Sequence, residues 1–232
     1  MSDPTENATL PELLAVMVHD LNNPVAALGT NLAFLESLLK SSTSPEVAET
    51  LSDMRMLCDI MRRLIRNVSM IGQPRPPHVQ LVSMDLVALV MASVERLAPQ
   101  AMASDVTLQL DADQRTGRVF VEKDPELCER ALDNLLAFAI ERAVSRSKIV
   151  VSVTAKSPLG VSISCSTRPQ AADVAPQPSR SRLLQSAYGR GLSLYCAQIA
   201  AKAANGRVEL QHDAQNVMTL ELVLDHDDKQ NA

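Results

Sequence analysis

The sequence predicts an α + α/β fold in two domains: an antiparallel helical hairpin that pairs into a dimeric four-helix bundle, followed by an α+β sandwich. Three observations predict it. Two apolar heptad seams, separated by a polar turn, run through residues 14–68. A proline cluster at Pro74, Pro76 and Pro77 then interrupts the chain. Beyond it, short alternating strand patterns are interleaved with helical ones. A chain of 232 residues is long enough to build a core in one or two domains.

In the first helix Leu14, Val18, Leu21, Val25, Leu28, Leu32, Leu35 and Leu39 step by four and three without a break, which is a heptad seam. The turn Ser41-Ser42-Thr43-Ser44-Pro45 follows, with Ser44 placed to cap a second helix and Pro45 at its first position. The second seam is Val47, Leu51, Met54, Cys58, Met61, Ile65 and Val68. Two long helices joined by a short turn make an antiparallel hairpin. One hairpin cannot bury both seams and the flanking Leu38, Leu57 and Leu64, so a homodimer is expected.

The domain boundaries read as a flexible terminus at 1–9, the hairpin at 10–72, a linker at 73–82, the second domain at 83–225 and a flexible tail at 226–232. Clustered prolines cannot continue a helix, which sets the linker. In the second domain Leu86–Leu97 reads as helix, Val106–Leu110 and Arg118–Val121 as strands, and Asp124-Pro125 opens a helix to about Ala143. Ile149, Val151 and Val153 alternate, as do Val161, Ile163 and Cys165, around the turn Lys156–Gly160, which predicts a β-hairpin. Thr167 to about Ser179 is rich in Pro, Ala and Ser and reads as a loop. A helix from Gly191 to about Ala203 and strands at Arg207–Gln211 and Val217–Leu224 complete the domain. Helices gathered on one face of a mostly antiparallel sheet make the sandwich.

Composition excludes several classes. The net charge of -5, with no basic run, argues against a nucleic-acid partner. Cys58, Cys128, Cys165 and Cys196 are scattered, form no CxxC pair and sit in apolar patterns, so reduced buried thiols are expected and no metal site. No apolar run approaches the roughly 20 residues that span a bilayer, and the polar, acidic start MSDPTENATLPE is unlike a signal peptide. A cytoplasmic protein with no membrane contact is expected. No sensory region is expected before the first helix, so any input is expected through a partner.

The chemistry concentrates at Val18-His19-Asp20-Leu21-Asn22-Asn23-Pro24-Val25. On a helix His19 and Asn23 stand one turn apart on a shared face, with Asn22 beside them. His19 follows the seam residue Val18, so its ring points outward from the flank of the bundle. A neutral imidazole nitrogen is a good nucleophile near neutral pH, and Asp20 can orient it or stabilise its charged form. Pro24 removes a helix hydrogen bond at a cost of about 3 kcal/mol and normally bends the helix. Folding the hairpin at Ser42 brings the neighbourhood of Ile65 alongside His19, and with it Arg62, Arg63 and Arg66. Three arginines there could hold an anion or meet an acidic partner surface.

At these residues the chain resembles the sensor histidine kinases. The segment from His19 to Pro24 is similar to their H-box, and the hairpin to their dimerisation and histidine phosphotransfer domain. Residues 83–225 resemble their Bergerat-type ATP-binding domain. Within it Asp124-Pro125-Glu126-Leu127 followed by Leu132-Asp133-Asn134-Leu135-Leu136-Ala137-Phe138-Ala139-Ile140 is similar to the N-box, and Gly189-Arg190-Gly191-Leu192-Ser193-Leu194 to the last glycine box. Two departures stand out. Phe138 occupies the position of the asparagine that ligates magnesium in the family, and a hard cation takes oxygen ligands. Val161–Cys165 runs into Ser166-Thr167-Arg168-Pro169, without the family's adenine-contacting aspartate or its glycines.

A glycine loop before a helix can still cradle an anion, but here it reads as a packing element. What remains is similar to the dimeric histidine phosphotransferases of the ChpT type, built like kinases with a degenerate ATPase domain. That resemblance implies that His19 carries a phosphoryl group between the aspartates of response-regulator receiver domains. Asp20 would tune the ring, and Asn23 would stand where related kinases position a water for receiver dephosphorylation. Asn22, Arg62, Arg63 and Arg66 are the expected partner-binding residues. No bound cofactor or metal is expected, ATP included; magnesium would belong to the partner receiver. The open alternatives are a receiver-binding scaffold, a response-regulator phosphatase and an active autokinase.

Overall fold

The computed structural model describes residues 10–39, 44–72, 79–111, 117–155, 158–167 and 192–224. They fall into two compact units that divide between Pro77 and His78. Residues 41–43 of the polar turn, the prolines of the linker, the loop beyond Thr167, the glycine box at Gly189–Gly191 and both terminal segments lie outside the described residues.

The first unit is the helical hairpin, α1 (Leu10–Leu39) and α2 (Pro45–Gly72). Ser44 precedes Pro45 and its hydroxyl accepts from the backbone N–H of Val47 at 3.4 Å, the N-cap arrangement that its position implies. α1 runs through Pro24 without interruption. The two heptad seams divide in the same way on both helices. Val25 and Leu32 on α1 and Leu51, Cys58 and Ile65 on α2 are buried. The alternate seam positions, Leu21, Leu28 and Leu35 on α1 and Val47, Met54 and Met61 on α2, remain exposed.

The second unit opens with β1 (Val82–Asp85), which pairs antiparallel with β3 (Phe120–Lys123) as a short ribbon. The main sheet has five strands in the order β2-β4-β5-β7-β6: β2 (Thr107–Leu110), β4 (Lys148–Thr154), β5 (Gly160–Ser166), β7 (Val217–Leu224) and β6 (Gly206–His212). Only the β2–β4 pairing is parallel, so the sheet is mixed. The helices are α3 (Leu86–Ala103), α4 (Pro125–Arg142) and α5 (Leu192–Ala203). Asp85 caps α3 by accepting from the N–H of Val87 at 3.0 Å, and Asp124 caps α4 by accepting from the N–H of Leu127 at 3.1 Å.

Alternation along the strands builds the core. Ile149, Val151 and Val153 on β4, Val161, Ile163 and Cys165 on β5, and Met218, Leu220 and Leu222 on β7 are all buried. The intervening Ser152, Ser162, Ser164 and Thr219 are half-buried on the other face, the period-two pattern of a sheet covered on one side. α4 is buried without interruption from Ala131 to Ile140, as expected of a central helix.

Three boundaries differ from the sequence reading. α3 continues past Leu97 to Ala103 with Pro99 inside it, because Gln100 and Ala101 extend its buried stripe. β3 lies at 120–123 rather than 118–121. β1, which the sequence reading left in and beside the linker, exists because its ladder to β3 satisfies backbone groups that neither four-residue segment could satisfy alone. α3 is also long and apolar enough to cross a membrane by length and composition, with 39% of the window buried. Its buried stripe of Leu86, Val87, Val90 and Leu97 makes it a core helix of this domain.

Candidate functional site

α1 presents His19 and Asp20 to solvent, with side chains 77% and 70% exposed. The Asp20 carboxylate lies 3.3 Å from Nδ1 of His19. A carboxylate at Nδ1 favours the tautomer with the proton there, which leaves the Nε2 lone pair free and facing water. Asn22 and Asn23 are exposed on the same stretch of helix. The arrangement can therefore offer one imidazole nitrogen to an electrophile, with an amide one helical turn away.

The arginines are distributed differently. The Arg62 guanidinium fills the space that a Cβ would take at Gly29, and its Nη1 donates to Asp59 at 2.9 Å. Gly29 lies ten residues along α1 from His19, about 15 Å at 1.5 Å per residue. Arg62 is thus not brought to the imidazole. Arg66 is half-buried one turn further along α2, and Arg63 is buried. The heptad pattern carried no sign that Gly29 is a notch for Arg62, since only a glycine admits another group so close to the helix axis. Nor did it reveal the ion pair that joins Arg55 on α2 to Glu36 on α1, with Nε 2.8 Å from Oε1.

In the second unit the stretch similar to the N-box lies on α4. Phe138 is buried, and the Arg142 guanidinium stands 5.0 Å above its ring centre, a cation–π geometry. The amide nitrogen of Asn134 donates to the carbonyl of Arg130 at 2.8 Å, back onto its own helix. Asp133 is buried and pairs with Nε of Arg96 at 3.1 Å, while Arg96 also reaches Glu129 at 3.3 Å and the Ser93 hydroxyl at 3.1 Å. The end of β5 carries the buried Cys165, its thiol 4.0 Å from the Ala139 carbonyl. Burial pushes the thiols of Cys165 and Cys196 up to about 11, and that of Cys128 up to about 12. At neutral pH they are therefore protonated and poor nucleophiles or metal ligands.

Among the described residues no group of three or more His, Cys, Asp or Glu side chains could hold a metal ion. On α4 the Asn134 amide nitrogen and the Asp133 carboxylate are engaged within the fold, and Phe138 lies beneath the Arg142 guanidinium.

These two units, the histidine helix and the mixed sheet with its layer of helices, give the protein a histidine-kinase-like fold. No family model matches the chain. It is 28% identical over 143 residues to the signal transduction histidine-protein kinase AtoS of Escherichia coli, covering 61% of this chain and 22% of that protein. It is 25% identical over 206 residues to the adaptive-response sensory kinase SasA of Gloeothece citriformis, covering 81% of this chain and 51% of that protein. The chain thus spans about half or less of the length of these curated relatives.

Among solved structures, full-length ShkA in complex with AMPPNP superposes with a TM-score of 0.54 at 15% identity, over 94% of this chain and 47% of that one. A histidine kinase from Burkholderia phymatum gives a TM-score of 0.50 at 16% identity, over 93% of this chain and 92% of that one. Both of these relatives are histidine kinases.

Proposed function

We propose that this protein is a homodimeric, cytoplasmic histidine phosphotransferase of the ChpT type, which relays a phosphoryl group between receiver domains through His19 without using ATP. The observation that carries this reading is the solvent-facing imidazole with Asp20 at Nδ1, on a helix similar to the phosphoacceptor helix of histidine kinases. The Nε2 lone pair attacks the phosphorus of an aspartyl phosphate on the donor receiver, forming an N–P bond. The P–O bond to the aspartate breaks, and its electron pair stays on the departing carboxylate. The carboxylate of a second receiver then attacks the same phosphorus and returns the electron pair to Nε2. The imidazole keeps its Nδ1 proton throughout, held by Asp20.

The receiver supplies the magnesium that screens the phosphoryl oxygens. Asn22, Arg62 and Arg66 form the proposed receiver-facing flank, with Arg62 and Arg66 meeting the receiver at a distance from the phosphorus rather than at it, while the buried Arg63 takes no part in it. The exposed rows Leu21, Leu28, Leu35 and Val47, Met54, Met61 are the faces covered when two hairpins close a four-helix bundle.

The exposed amide of Asn23, one turn from His19, favours a second reading in which the same site dephosphorylates a receiver. One assay addresses both. The protein, with His19→Ala and Asn23→Ala beside it, is mixed with a panel of pre-phosphorylated receivers in the absence of ATP. Relay predicts acid-labile label on the wild type and none on His19→Ala. A phosphatase releases inorganic phosphate, stopped by Asn23→Ala. If no receiver in the panel loses label to the wild type, both readings fall, and a binding scaffold and an autokinase are left.

A further inference from the structure

We propose that Phe138, capped by Arg142, is a plug built into α4 that closes the second domain to magnesium nucleotides. The inference deepens the relay reading by saying why the phosphoryl group must come from a partner, and it stands on separate geometry.

Four features of the domain converge. First, Phe138 lies within the unbroken buried run of α4, at 4% exposure. Its ring is part of the core rather than a side chain that could swing aside. Second, Arg142, one turn later, lies over that ring at 5.0 Å, which places a permanent cation against the same position. A second cation has no electrostatic reason to enter there. Third, two polar groups of α4 are engaged within the fold. The Asn134 amide is held by the Arg130 carbonyl, and the Asp133 carboxylate is neutralised by Arg96. Fourth, Cys165 closes the inner face where β5 meets α4, its thiol against the Ala139 carbonyl. An oxygen-seeking metal meets carbon, a guanidinium and a buried thiol.

A domain plugged in this way is complete without nucleotide, and nucleotide should not change its stability. The test is thermal melting of the full chain, followed at the second domain's far-UV signal, with increasing ATP in magnesium and in excess chelator. Wild type, Arg142→Ala and Phe138→Leu are compared. Leucine keeps the position apolar and so retains the core. No shift is expected for any of the three up to millimolar nucleotide. A ligand at a hundredfold excess over its Kd would raise the midpoint by about 5–10 °C for a domain of this size. Such a rise in the wild type would overturn the plug. A rise in Arg142→Ala alone would also overturn it, since the arginine and not the ring would then be the barrier. The ATP-free transfer assay on the same preparation keeps the two ideas apart. Nucleotide binding with intact relay sinks only the plug, and absence of both binding and relay sinks only the relay.

Discussion

The two units of this protein are finished in opposite ways. In the second unit the inner faces of β4, β5 and β7 are buried, and α4 is buried along ten consecutive residues, Ala131 to Ile140. In the hairpin only half of each heptad seam is covered, and its histidine is among the more exposed side chains described. A closed core holds shape; an open seam with an exposed nucleophile meets other molecules. On the proposed reading, chemistry and assembly belong to the hairpin and the kinase-like domain contributes structure. Substitutions in the two units should accordingly fail in different ways.

The largest contrast should come from His19→Ala against any change in the second domain. On the proposed reading the His19 imidazole forms the N–P bond, so transfer should fall to background. The melting curve stays where it was, because a side chain 77% exposed packs against little. A phosphotransfer time course beside a circular dichroism melt checks both halves. Residual acid-labile label on the variant would place the chemistry elsewhere.

Next in size is the core of the kinase-like domain. Leu136 on α4 is fully buried, and Leu136→Ala should cost about 2–5 kcal/mol in urea unfolding. Leu28→Asp, on the exposed seam of α1, should do the reverse. It should leave the second domain's unfolding midpoint intact while light scattering shows a fall from dimer to monomer. A charge in an apolar bundle seam is costly only once a second hairpin buries it. If Leu28→Asp stays dimeric, the proposed bundle face is wrong.

A smaller effect follows from the thiols. Burial raises Cys128 to about 12, and Cys165 and Cys196 to about 11, against an ordinary value of 9.0. The folded state therefore binds these protons more tightly than the unfolded state. The stabilisation is fully present below pH 9 and is lost as pH rises toward 11 and 12. The second domain should lose stability across that window. Replacing Cys128 with alanine should flatten the pH dependence there, whatever it does to the midpoint at neutral pH.

The same contrast explains what was legible in the sequence. Strict periodicity writes buried helices and strands plainly. α4, the β4–β5 hairpin and both hairpin helices were readable because their apolar residues recur at 3.6, 2 or 3.5 residues. β1 and the extension of α3 beyond Pro99 were not. One depends on a ladder to a distant strand, and the other on packing that outweighs the cost of a proline. At the site, His19, Asp20 and Asn23 could be placed on one helix by spacing alone. The position of Arg62 could not, because it is set by the notch at Gly29 and by Asp59, neither of which leaves a periodic trace. Arg63, read as a surface group from the sequence, is buried, and no single-helix pattern distinguishes those two fates for an arginine.

The smallest expected effect sharpens the comparison from the hairpin's side. Arg55 and Glu36 join α2 to α1 through a two-point ion pair, and the carboxylate raises the arginine's already high pKa. Two N–H donors meet two carboxylate oxygens across the helices, and the heptad pattern carried no sign of it. Yet the Arg55 side chain is 55% exposed. Water and salt screen a pair in that setting, and two long side chains must be ordered to form it. Arg55→Ala should therefore cost only about 0.2–1 kcal/mol, with a difference from wild type that shrinks further at high salt. Urea titrations of wild type, Arg55→Ala, Glu36→Ala and the double variant would measure the coupling directly. A coupling well above that range would mean that the pair is shielded in solution. The covering hairpin of a dimer could provide such a shield, and Leu28→Asp should then abolish the excess.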